Sequence, residues 1–286
     1  MERILINSGS SSSGWHRIEA FLLCPRRFAY KHLLKVSEGG GKRALSLGTL
    51  VHIGLAHHYA RKKAAAEGKD PETYYTVDDA IALAAAAAGA QDAVEGCAAL
   101  TAAARDIVHK YLFSYALEQL EVVSVEEEYS AVLRDAWPFT ARYDLVFRDA
   151  GGRVWIRDYK TAARPTSATV AAYSLSGQIL MMQVMGRALW GGAFGGVRLD
   201  LIQSVPPFAV RRESPLAAPR AVASIVETIC NAEEGIQRMR GFDPNNYPAT
   251  MTEHTCFTRY GPCAYANLCR WGPDASATKE KEGVET

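Results

Sequence analysis

The stretch VWIRDYKTA, residues 154–162, alternates in the two-residue period of a β-strand and is rich in β-branched and aromatic residues. Side chains two apart share a face. Val154, Ile156, Asp158 and Lys160 therefore stand on one side, with Trp155, Arg157 and Tyr159 on the other. An aspartate and a lysine thus enter what otherwise reads as a buried strand. An ion pair at a strand end is one explanation, and a metal site with a lysine beside it is the other.

Working outward, FTARYDLVF (139–147) reads as the preceding strand, joined to this one through the hairpin turn DAGG (149–152). VVSVEEEYSAVL (122–133) is a further strand before it. Asp144 lies across the hairpin from Asp158, and Glu126 and Glu128 share a face of the earlier strand. Carboxylates gathered in one place repel, and some take up protons. A divalent cation removes the conflict, and Mg²⁺ needs only two or three of them because it keeps several waters. A metal ion and a lysine ammonium together suit phosphodiester hydrolysis, where a nucleophile must form and negative charge spreads. GTLVH (48–52) brings a histidine early in a helix, on one face with Leu45, Gly48, Leu55 and Tyr59. His52 reads either as a core histidine or as an imidazole ligand beside carboxylates.

The flanking sequence gives the rest of the architecture. WHRIEAFLLCPRRFAYKHLL (15–34) has helical spacing interrupted by Pro25, which predicts two short helices or one kinked helix. ALSLGTLVHIGLAHHYARKKAAAEG (44–68) and two alanine-rich stretches predict further helices before residue 121. After the strand cluster, 168–191 reads as one helix, VRLDLIQSV and PFAVRRES as strands, and 219–240 as a long helix. The expected fold is α/β (α+β): a central mixed β-sheet flanked by helices. Residues 1–14 read as a flexible leader, 15–272 as one domain, and 273–286 as a disordered tail. Within the domain, 15–121 is the helical part, 122–214 the core and 215–272 the closing segment.

The 286 residues carry 32 basic and 31 acidic side chains, so net charge neither demands nor excludes nucleic acid. No apolar run reaches the length of a membrane span, and the N-terminus lacks the apolar core of a signal peptide, which sets a cytoplasmic expectation. No GxxxxGK[ST] loop is present, so no ATPase is expected. Of six cysteines, Cys97 and Cys230 fall in helical stretches and read as core residues. Cys24 precedes Pro25, and CFTRYGPCAYANLC groups Cys256, Cys263 and Cys269. Four such thiolates suit a metal centre. Zinc and an iron–sulfur cluster both remain open, although the tight C-x-x-C pairs usual for zinc are absent. Arg26, Arg27, Lys31 and Arg259 offer charge for phosphates, and Phe28 and Tyr260 offer rings for bases, against the plainer roles of surface and core.

In order along the chain, FLLCPRRFAYKHLL, GTLVH, VEEEY, ARYDLVF, IRDYKTA, YSLSGQ and CFTRYGPCAYANLC resemble the motifs of the RecB-like branch of the PD-(D/E)XK nuclease superfamily. The resemblance is to its iron–sulfur members, the AddB-type nuclease domains and CRISPR-associated exonucleases, and spans about residues 15–271. It implies a restriction-endonuclease-like core with a helical insertion, its termini closed by a cysteine cluster. It implies a Mg²⁺- or Mn²⁺-dependent exonuclease on DNA, at single-stranded ends, and leaves open whether a helicase or an integrase is its partner. His52, Asp144, Asp158 and the carbonyl of Tyr159 would bind the metal, and Lys160 would be the catalytic lysine. Glu126 matches the acidic position of the first strand, with Glu128 as its rival. Tyr173 and Gln178 match the helix motif that contacts substrate or orients the lysine. Cys24, Cys256, Cys263 and Cys269 would hold a [4Fe–4S] cluster, with Zn²⁺ as the alternative. The chain departs from the pattern at Met182, where a tyrosine is common, and in the long Cys256–Cys263 spacing.

Overall fold

The computed structural model describes residues 3–6, 8–36, 47–92, 97–216, 218–258 and 261–272. Arg259, Tyr260, Leu45 and the tail 273–286 lie outside the described residues. The chain divides into two compact units. One comprises residues 1–15 and 44–228, the other residues 16–43 and 229–286.

The first unit is built on a five-stranded sheet. Its order is β1 (Leu120–Leu133), β2 (Trp137–Asp149), β3 (Val154–Ala162), β4 (Phe194–Gln203) and β5 (Val210–Glu213). All neighbours are antiparallel except β3 and β4, which run parallel. A parallel pair needs a crossover. Here it is supplied by α6 (Ser167–Ser174) and α7 (Gly177–Trp190). The sequence predicts one helix there. The chain breaks it at Leu175 and restarts from Ser176, whose extended backbone caps α7. Gly177 follows because a Cβ there would sit 2.3 Å from the Trp15 ring.

The β2–β3 turn is set by one side chain. Asp149 Oδ1 accepts the backbone N–H groups of Gly151 and Arg153, its Oδ2 accepts the Trp155 indole N–H, and Gly152 takes the left-handed conformation (φ 79°).

Helices α3 (Leu47–Ala66), α4 (Val77–Asp92) and α5 (Cys97–Ser114) pack against one another and cover one side of the sheet. Their core joins Leu50, Leu55, Ile81, Ile107 and Tyr111 to Leu145 and Phe147. Gly54 of α3 permits the close approach, since a Cβ there would lie 2.9 Å from Ile81 and 3.1 Å from Val108. Cys97 gives its S–H to the Ala85 carbonyl, and Cys230 is fully buried.

Residues 3–6 and 8–14, the expected flexible leader, are hydrogen-bonded to this unit. Ile4 N–H reaches the Thr73 carbonyl, and Ser13 exchanges bonds with Thr140.

In the second unit α1 (Trp15–Leu23) and α2 (Pro25–Phe28) are two short helices meeting at Cys24, with Pro25 opening α2. A π-turn over Ala29–Leu33 follows. The unit boundary falls within α8 (Pro219–Met239), whose buried residues Ile225, Ile229, Ala232 and Ile236 recur at helical spacing. Beyond it come α9 (Glu253–Cys256), a short hairpin of β6 (Phe257–Thr258) and β7 (Gly261–Pro262), and α10 (Ala266–Trp271). Phe28 is a core residue, and Arg26 donates to the Tyr247 carbonyl.

Candidate active site

The chemistry gathers where β2 and β3 part. Their ladder ends at Leu145–Arg157, one step short of setting Asp144 opposite Asp158. In place of a ladder bond, the Asp144 carboxylate accepts the Tyr159 N–H at 2.7 Å. On the other side of β2, the pairs Val125–Leu145 and Glu127–Tyr143 bracket Glu126 opposite Asp144. Glu126 has φ 49°, a left-handed conformation that is uncommon for a non-glycine residue. Such strain persists where the surroundings over-determine it, and it concentrates at functional sites. His52 arrives from α3. Its Nε2 lies 2.9 Å from the Tyr159 carbonyl, and its Nδ1 lies 3.5 Å from Asp144.

His52, Glu126 and Asp144 each offer a ligand atom, and these atoms lie within 4.8 Å of one another. Among the described residues they form the one such group of histidine, cysteine and carboxylate side chains. Glu128 stands apart from it: its carboxylate accepts the N–H and hydroxyl of Ser12. Asp158 also stands outside the triplet. Lys160 Nζ lies 2.9 and 2.7 Å from its two oxygens, and Gln178 Nε2 donates to Oδ1 at 3.0 Å. Asp158 is 1% exposed, and its Oδ2 accepts no well-aligned hydrogen bond despite the close ammonium. Tyr173 contributes to the field at Lys160. Met182 is buried beside Met181 in α7 and adds packing.

The electrostatics are those of a site built around positive charge. Burial opposes the charged form of His52, but the Asp144 carboxylate overrides it and lifts the imidazole to about 9. Burial, and then Asp144, push Glu126 up to about 8. Asp144 itself is held low against its burial by His52, Lys160 and the Tyr159 N–H. Burial raises Asp158, while Lys160 stays charged against its own burial because Asp158 and Asp144 face it. Without a metal, three carboxyl groups, an imidazole and an ammonium thus share protons. A nitrogen donor, two carboxylates and a main-chain carbonyl form a hard donor set that fits a divalent cation such as Mg²⁺ or Mn²⁺.

Behind β3 lies a feature the sequence reading missed. Arg157 is fully buried. It donates to Glu118 at 2.6 Å, lies 3.5 Å from Asp200, and stacks over the Phe147 ring at 4.5 Å. Asp200 also accepts Arg212 Nε and Nη2 at 2.7 and 2.8 Å and the Tyr111 hydroxyl at 2.6 Å. The signal was present: strand alternation puts Arg157 on an inner face, where a guanidinium requires partners.

The cysteine set lies in the second unit. All four thiols are free. Burial raises the Cys269 thiol, and Arg26, Cys24 and Cys263 lie within its electrostatic reach. Cys263 N–H donates to the Cys256 carbonyl at 2.7 Å. Three thiolates on one tetrahedral zinc would stand roughly 3.8 Å apart at 2.3 Å bonds. The cysteines do not form so tight a group among the described residues.

A family model of the PD-(D/E)XK nuclease superfamily matches residues 15–270. The chain belongs to that superfamily. The mixed sheet with flanking helices is consistent with its restriction-endonuclease-like fold. The chain is also similar to a crystal structure named "Putative exonuclease" from Eubacterium rectale, at 12% identity over 93% of this chain and 92% of that one, with a TM-score of 0.48. No curated protein matches the sequence significantly. Among the described residues, no helix is long and apolar enough to cross a membrane.

Proposed function

We propose that this member of the PD-(D/E)XK nuclease superfamily is a metal-dependent deoxyribonuclease that removes nucleotides from single-stranded DNA ends. One observation carries the reading: an imidazole and two carboxylates converge within 4.8 Å beside a lysine held on a buried aspartate. His52, Glu126, Asp144, Asp158 and the Tyr159 carbonyl are the groups that would hold the cation. A divalent cation there would lower the pKa of a bound water and offset the charge of the phosphate.

The chain's own groups do the rest. Gln178 fixes the Asp158 carboxylate from α7, and Asp158 in turn aims the Lys160 ammonium. That ammonium is preorganised to donate to a phosphate oxygen as negative charge grows in the transition state. The Tyr159 N–H holds Asp144 in place. Tyr173 lines the approach to Lys160 and contacts the substrate. Cys24, Cys256, Cys263 and Cys269, none of them in a disulfide, are the residues we assign to a structural [4Fe–4S] cluster, on the strength of their motif spacing.

Digestion of end-labelled single- and double-stranded DNA with Mg²⁺, Mn²⁺ or chelator tests the reading. Shortening of single strands that chelator stops and Lys160→Ala abolishes is the expected result. Cleavage by Lys160→Ala at the wild-type rate, or in chelator, would overturn it.

A further inference from the structure

The N-terminal residues join the same three elements that build the metal group. His52, Glu126 and Asp144 come from α3, β1 and β2. Ile4 donates to the Thr73 carbonyl and bridges Tyr74, just beyond α3. Ile6 N–H donates to His57 Nε2 on α3 at 2.9 Å. His57 is fully buried and places its other nitrogen 3.2 Å from the Tyr75 carbonyl, so Nδ1 carries the proton and Nε2 is free to accept. Six residues later the chain is tied to the sheet. Ser12 N and Oγ donate to the Glu128 carboxylate at 2.9 and 3.0 Å, and Ser13 N–H donates to Thr140 Oγ1 at 2.8 Å.

These sheet anchors lie on the two strands that carry Glu126 and Asp144. Glu128 is two residues from Glu126 on β1, and Thr140 is two steps of the strand repeat from Asp144 on β2. Between them Gly9 passes Arg142, the residue two before Asp144, and a Cβ on Gly9 would lie 4.0 Å from Arg142 Nη1. Ile4 and Ile6 line a cavity of about 530 Å³ whose wall includes Glu126. A covalent strap thus spans from α3 to the β1–β2 hairpin along one flank of the site.

We propose that this strap makes the enzyme require a free DNA end. The inference rests on the nuclease reading above and adds the reason for end selectivity. A strand continuing past the site on this flank would have to cross the polypeptide. A strand that terminates there does not.

The test compares linear and covalently closed circular single-stranded DNA of the same sequence, in the full chain. The wild type is expected to cut the circle at least about 100-fold more slowly than it degrades the linear form. Ser12→Pro removes the Ser12 N–H and hydroxyl donors, and Ile6→Pro removes the donor to His57. Either variant is expected to raise circle cutting at least about 10-fold with the linear rate within about twofold. The two sit at opposite ends of the strap, so a folding defect in one leaves the other informative. Comparable wild-type rates on both substrates, or an unchanged ratio in both variants, would overturn the strap's role while leaving the nuclease reading intact. Wild-type inertness on both substrates with Mg²⁺ and Mn²⁺ would overturn both.

Discussion

Metal binding at the His52–Glu126–Asp144 group should release protons, and the number follows from the site. In the metal-free protein His52 titrates at about 9 and Glu126 at about 8, so both carry protons at pH 7. A cation needs both in the deprotonated form. Its affinity should therefore rise about 100-fold per pH unit below pH 8, two protons at about 1.36 kcal/mol each. The slope should fall to about tenfold between pH 8 and 9 and vanish above.

Fold stability has the opposite sign. Both folded values exceed the ordinary 6.5 and 4.5, so the native metal-free protein binds more protons than the unfolded chain. The Glu126 contribution is fully present below pH 4.5 and is lost by about pH 8. That of His52 is present below pH 6.5 and is lost by about pH 9. Titration calorimetry with Mg²⁺ at pH 7, in buffers of differing ionisation enthalpy, counts the protons directly. About two are expected, falling to about one in Glu126→Gln. No proton release, with an affinity flat from pH 6.5 to 8, would refute the reasoning.

Three further outcomes follow from burial and spacing. Asp200→Ala strips the Arg157–Arg212 cluster of its innermost carboxylate and should lower stability by about 3–5 kcal/mol in urea titrations, and Asp200→Asn, which removes the same charge, should cost a similar amount. Gly54→Ala forces a methyl against Ile81 and Val108 and should cost about 1–3 kcal/mol by the same measurement. Cys24→Ala should lower both the iron content of anaerobically purified protein and its melting temperature. Unchanged iron would remove Cys24 from the ligand set.

Much of this was legible in the sequence because strand alternation and hairpin turns are local. DAGG fixed the β2–β3 register, and the spacing of ARYDLVF and RVWIRDYK brought Asp144 towards Asp158. The α6–α7 break escaped because Leu175 and Ser176 lie inside a continuous apolar pattern, and only the cap at Ser176 separates the helices. The strand pattern alone left Glu126 and Glu128 open, only the motif pointed to Glu126, and the physical basis of that preference was not legible. It depends on a left-handed backbone at Glu126 and on Ser12, more than a hundred residues away, claiming Glu128. The Arg157 network escaped because its partners Glu118, Asp200 and Arg212 come from three separate segments.

That network has a consequence for how β3 finds its place. Successive residues of this strand carry opposite charges to opposite sides: a guanidinium towards Asp200 and Glu118, then a carboxylate towards Lys160 and Gln178. A slip by one residue would turn Asp158 towards the Asp200 and Glu118 carboxylates and take Arg157 away from both of them. Misalignment would therefore set acid against acid and leave a guanidinium without its partners, so the charge pattern acts as a key that admits β3 between β2 and β4 in a single alignment.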